Sequence, residues 1–66
     1  MGESRWIHID FDDITKETDN AFLVVLEDGE QVWLPKSQIS DADDYEVGDS
    51  GTMSITEWIA EQKGIS

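Results

Sequence analysis

Cysteine is absent from this sequence, which excludes disulfides and thiolate metal sites, and a lone histidine, His8, closes the common zinc ligand sets as well. Basic residues are almost as scarce. Arg5, Lys16, Lys36 and Lys63 face 16 acidic residues, giving a formal net charge of −12. Nucleic-acid binding draws its affinity from Lys and Arg at phosphates, so a free DNA or RNA duplex is expected to be repelled, and an anionic membrane for the same reason. No apolar run approaches the roughly 20 residues that a bilayer span requires. The opening Met-Gly-Glu-Ser lacks a basic segment followed by an apolar one, so no secretory signal is expected. Trp6 stands where N-myristoylation at Gly2 would need a small hydroxyl residue, so lipidation is not expected either. The expected location is the cytoplasm.

What is present is one small domain, 1–66, near the length below which chains need a staple. Stability must come from the core or from oligomerisation. Three Trp, two Phe and one Tyr supply bulk, each able to bury roughly 150 to 250 Å². So high a charge raises the prospect of disorder, but the regular apolar pattern argues for a fold.

That pattern centres on Ala21 to Ile39, AFLVVLEDGEQVWLPKSQI. Two runs rich in β-branched and aromatic residues, Ala21 to Leu26 and Gln31 to Leu34, flank Asp28-Gly29, a strong hairpin signal. With those two as the turn, Glu27 faces Glu30, Val25 faces Val32, Val24 faces Trp33 and Leu23 faces Leu34. One face then carries Leu23, Val25, Val32 and Leu34, and the other Phe22, Val24 and Trp33. Both are apolar, so both need a cover: other strands on one side, a helix or a partner chain on the other.

Before the hairpin, Ile7, Ile9 and Phe11 alternate with His8, Asp10 and Asp12 within Arg5 to Ile14, the signature of a half-buried strand. Thr15 to Asn20 has no apolar residue and reads as a loop or strand end. After the hairpin, Pro35 lacks a donor and ends the strand, and Lys36 to Ile39 suits one tight helical turn with Ile39 inward. Ser40 to Asp49 is acidic and aperiodic, a surface loop. Thr52 to Ile55 alternates again, with Met53 and Ile55 inward. From Ser54 or Thr56 the pattern changes to helical: Ser54-Ile55-Thr56-Glu57 matches a capping box, Trp58, Ile59, Gln62 and Ile65 follow helical spacing, and Gly64 suits the helix end.

The expected fold is mainly β with a short C-terminal α-helix: a small antiparallel sheet or an SH3-like, partly open barrel. The expected core is Ile7, Ile9, Phe11, Leu23, Val25, Val32, Leu34, Ile39, Met53, Ile55 and Ile59. For the tryptophans, the preferred reading is that they wedge the helix onto the sheet, Trp33 under Trp58. The alternative is that at least one marks an interface.

Glu17 to Ile39, with E-T-D-N-A-F-L-V, E-D-G-E and V-W-L-P-K-S-Q-I, together with G-D-S-G-T-M-S-I and E-W-I-A-E-Q-K-G-I near the end, resembles a set of small uncharacterised bacterial and phage proteins. The resemblance covers most of the chain. It implies a self-contained domain carried by a phage or other mobile element, and it transfers no functional residue.

For chemistry, His8, Asp10 and Asp12 would project from one strand face about 6 to 7 Å apart, and imidazole with two carboxylates would suit Mn²⁺ or Fe²⁺. Strand neighbours at that spacing cannot easily share an ion at about 2 Å, so a solvent-facing strand is the preferred reading and no metal site is expected. Counting from Asp41, an EF-hand fails, with Glu46 where Gly belongs and Thr52 where the bidentate Glu belongs. Ser37, Ser50 and Ser54 carry no nucleophile signature, and neither a catalytic residue nor a cofactor is expected.

The expected function is a non-catalytic, acidic protein-binding module that engages a basic partner surface, a phage or mobile-element accessory or inhibitor. Alternatives are a structural homo-oligomer using an apolar sheet face, and a small-barrel nucleic-acid-binding protein suggested by architecture alone. Expected partner-binding residues are Tyr45, Asp41, Asp43, Asp44 and Glu46 in the acidic loop, with Trp33 on the hairpin. Tyr45 is the expected aromatic anchor; the competing reading makes it a lid on Pro35.

Overall fold

The computed structural model describes residues 5–65; Gly2, considered above for lipidation, lies outside them. Four antiparallel strands form an open sheet in the spatial order Gln31–Pro35, Ala21–Leu26, Trp6–Glu17, Gly51–Thr56, followed by a short helix. β1 spans Trp6–Glu17, β2 Ala21–Leu26, β3 Gln31–Pro35, β4 Gly51–Thr56 and α1 Glu57–Lys63. One bridge between Ile39 and Ile55, with the Ser40 N–H donating to the Ser54 carbonyl, ties the segment after β3 to the far edge of β4 and curls the sheet.

The hairpin register differs by one residue from the two-residue turn expected above. Leu26 opposes Glu30 across a three-residue loop, in which the Gly29 N–H donates to the Leu26 carbonyl (2.9 Å) and the Leu26 N–H to the Glu30 carbonyl (2.8 Å). Gly29 takes φ +89°, the left-handed residue that such a loop needs, and Asp28 Oδ1 accepts the Glu30 N–H at 2.9 Å. Val24 therefore faces Val32, Leu23 faces Trp33 and Phe22 faces Leu34. A slip of one residue exchanges the faces of a strand. Phe22, Val24 and Leu26 are buried with Val32 and Leu34, while Leu23 and Val25, expected in the core, turn outward and are half-buried. This register buries a phenylalanine and two aliphatic residues from β2, more apolar area than the Leu23/Val25 set could remove from water.

β1 contains a second correction. The register shifts between Phe11 and Asp13 and again between Ile14 and Lys16, so strict alternation fails and Ile14 joins Ile9 and Phe11 on the inner face, fully buried. The strand continues to Glu17, which selects the strand end from the two readings of Thr15 to Asn20, because Lys16 and Glu17 pair with Leu23 and Phe22. Glu17 then reaches the Lys36 amine (2.7 Å), which sits 4.9 Å from the Phe22 ring centroid and closes that end of the core.

β3 ends at Pro35, and Lys36–Gln38 makes a single 3-10 turn that delivers Ile39 into the core. Of the two possible helix starts the structure uses Thr56 as the cap of α1, and the Ser54 capping box does not form. The Thr56 hydroxyl accepts the Ile59 N–H (3.2 Å) and donates to Gln38 Oε1 (2.6 Å), with no Glu or Gln at the position a capping box would use. Gly64 closes the helix at φ +73°, with the Ile65 N–H donating to the Ala60 carbonyl. Ile59 and Ala60 bury α1 against the sheet, whereas Trp58 points away.

Candidate protein-binding surfaces

The tryptophans do not wedge the helix onto the sheet. Trp6, Trp33 and Trp58 are 50%, 40% and 57% exposed, and the core is filled instead by Phe22, Ile14, Leu34, Met53, Ile55 and Val24. Trp33 stands on the outer face opposite Leu23, in a row with Val25, and the described residues leave this face open. Trp6 opposes Thr56, and the Arg5 carbonyl accepts the Glu57 N–H, so Trp6 and Trp58 lie at the end of the sheet where β4 passes into α1.

The acidic loop is more ordered than its composition suggests. Asp41 adopts φ +54°, tolerated by a short polar side chain, and opens a 3-10 turn at Ala42–Asp44. The Gly48 N–H donates to the Ile14 carbonyl (2.8 Å), and Asp49 Oδ2 accepts the Glu46 N–H (2.9 Å). Asp41, Asp43, Asp44 and Glu46 are exposed. Tyr45 is half-buried: its ring meets Phe11 edge-on, centroids 6.0 Å apart at 78°, and its hydroxyl lies 3.4 Å from the Thr52 carbonyl. The loop thus gathers its carboxylates on the surface while its aromatic ring packs on the core, on Phe11 and not on Pro35.

His8, Asp10 and Asp12 are not brought together as a ligand set. Asp12 is the extra residue of the first register shift, which breaks the spacing. Asp10 Oδ1 accepts the Thr52 hydroxyl proton (2.8 Å) and His8 Nδ1 lies 2.9 Å from Ser54 Oγ, both pairs across the β1–β4 ladder. Among the described residues no group of three or more His, Asp or Glu side chains could hold a metal ion. The Ser54–His8 contact invites a nucleophile–base reading, but an activated serine also needs a group that orients the imidazole. Here the pair stands exposed on a strand ladder at a position where facing side chains approach closely, so a cross-strand polar contact accounts for it.

One convergence was not visible in the sequence. Asp10 of β1 and Glu27, Asp28 and Glu30 of the hairpin tip line a cleft of about 370 Å³, which extends to Gly64 and Ile65 beyond α1. Its floor includes Ile9 and Leu26. The acids belong to segments some 20 residues apart in sequence, and only the strand order places them together.

No helix among the described residues is long and apolar enough to cross a membrane. No protein-family model, curated protein or solved structure gives a match to this chain.

Proposed function

We propose that this domain is a non-catalytic binding module for a basic protein surface, acting in the cytoplasm as an accessory or inhibitor carried by a phage or other mobile element. The observation that carries the reading is that the charge is left for others to neutralise. Against a net charge of −12, Lys36–Glu17 is the single ion pair among the described residues. Carboxylates arranged in this way steer a positive partner and repel nucleic acid. The exposed tryptophans add the residue type most often found at binding hot spots.

The test is capture on immobilised domain after nuclease digestion, followed by elution in rising salt. A basic protein that is released as the Debye length falls from about 10 Å to about 3 Å supports the reading. Capture that ignores salt, or capture of nucleic acid alone, overturns it. A second reading is a homo-oligomer built on Leu23, Val25 and Trp33, favoured by the uncovered outer face; the observed register replaces the Phe22, Val24 and Trp33 face expected from the sequence. Sedimentation at micromolar concentration decides it.

A further inference from the structure

The cleft has a feature beyond its charge, which is an open strand edge. The Ser40 N–H donates to the Ser54 carbonyl, so the peptide groups of Ser54 face away from β1. Antiparallel ladders alternate, which makes His8 and Ser54 a non-hydrogen-bonded pair. The close side-chain contacts His8–Ser54 and Asp10–Thr52 agree with this. The N–H and C=O groups of His8 and Asp10 therefore point away from β4, toward the cleft. By the same alternation the N–H and C=O of Phe11 face Gly51 of β4, so its pairing with Leu26 runs through the Asp10 carbonyl and the Glu27 N–H; the rest of the hairpin tip bonds to itself, with Leu26, Gly29 and Glu30 as partners. Among the described residues, nothing pairs with the N–H and C=O of His8 or with the N–H of Asp10.

We propose that this edge is a β-augmentation site, where an extended segment of a basic partner adds as a strand alongside His8-Ile9-Asp10. The inference rests on the protein-binding reading and names its site and ligand chemistry. Main-chain hydrogen bonds would supply affinity, and alternate side chains specificity. Cross-strand neighbours share a face, so the guest residue opposite Ile9 turns inward over Ile9, Leu26 and Ile65. Guest residues opposite His8 and Asp10 turn toward the carboxylates. The segment that fits alternates aliphatic and basic residues over about five positions, or roughly 16 Å.

Charge selects this occupant over a second copy of the chain. Free edges invite self-pairing, and natural sheets block it with charge, proline or bulges. Residues 6–10 contain no proline, and the register shifts lie beyond them, at Phe11/Asp13 and Ile14/Lys16. Two copies meeting here would oppose Asp10, Glu27, Asp28 and Glu30 to the same set. A basic strand reverses that sign.

The probe is the peptide acetyl-KVKVKV-amide, compared with acetyl-KKKVVV-amide and with two N-methylated forms of the alternating sequence. In the proposed pairing the lysine N–H groups face β1 and the valine N–H groups face solvent. Methylation at the lysine nitrogens should abolish binding, and methylation at the valine nitrogens should leave it within about threefold. Saturation with the unmodified peptide should slow hydrogen exchange at the His8 and Asp10 amides by about tenfold or more. His8→Pro removes a donor that β4 does not use and should weaken the peptide at least about tenfold, with its melting curve confirming the fold. Equal tolerance of both methylation patterns, or exchange slowed along Gln31–Pro35 instead, overturns the edge pairing while leaving the binding module intact. Equal binding of both unmodified peptides, released by salt and without amide protection, does the same. Failure of the module itself is read separately, from salt-insensitive capture of the protein partner.

Discussion

The inner and outer faces of one hairpin are built from nearly the same kinds of residue and have opposite fates. Along β2, Phe22, Val24 and Leu26 are buried while Leu23 and Val25 between them are half-buried, and along β3 Val32 and Leu34 are buried while Trp33 is exposed. Hydrophobicity does not separate the two sets. What separates them is cover. The inner side receives Ile39 from the 3-10 turn, Ile59 and Ala60 from α1, and Tyr45 from the acidic loop, all packed into one cluster. The described residues bring nothing comparable to the outer side. Stability is thus concentrated on one face, and the other is left partly exposed.

The largest effect that would sharpen this comparison is Phe22→Ala. Removing a fully buried phenylalanine costs about 3 to 5 kcal/mol, and a domain this short sits near the low end of the usual 5 to 15 kcal/mol of stability. Urea unfolding should show most of the fold lost. The outward Leu23→Ala, one residue away, should cost less than about 1 kcal/mol; equal costs would mean that the two faces are equivalent and the register wrong. Next comes Tyr45→Ala, which loses part of the roof. An edge-on aromatic pair is worth about 0.5 to 1.5 kcal/mol beyond area burial, so the melting midpoint should fall by more than about 5 °C. An unchanged midpoint would detach Tyr45 from the core and return it to the loop surface as a free anchor. Smaller again is Thr56→Ala, where loss of the α1 cap costs about 0.5 to 2 kcal/mol. Serine at 56 should recover most of it, and failure of that rescue would show that the methyl group, not the hydroxyl, holds the helix.

How far the sequence carried can be judged from the same residues. Composition and period two were sufficient for the strands, the stop at Pro35, the tight turn that buries Ile39 and the final helix, because each depends on neighbours within a few positions. The faces of the hairpin were not legible. Asp28-Gly29 is compatible with a two-residue or a three-residue loop, and the choice rests on which set buries more area against elements far away in the chain. Ile14 was hidden for a related reason: a bulge changes the period locally, and nothing in F-D-D-I marks where the extra residue goes. The tryptophans were misjudged by assuming that a small core must use its largest side chains. As for the candidate surfaces, acidity was plain from the sequence, but the cleft joins Asp10 to the Glu27–Glu30 tip through strand order, a property that no local pattern encodes.

The smallest expected change in stability, and the most informative for function, is Trp33→Ala. Trp33 faces Leu23 across the β2–β3 ladder, and a cross-strand pair of this kind is worth about 0.2 to 1 kcal/mol. Urea unfolding should therefore shift by no more than that. If the outer face binds a basic partner, affinity should fall while the salt dependence stays, because the carboxylates that steer the encounter are untouched and the lost area acts mainly on dissociation. If that face instead joins two copies of the chain, the wild-type domain should sediment as a dimer at micromolar concentration and Trp33→Ala as a monomer, with stability now dependent on concentration. A cost well above about 1 kcal/mol in a strictly monomeric protein would contradict both readings. It would show that Trp33 is part of the packing after all, and that the outer face contributes to holding the fold.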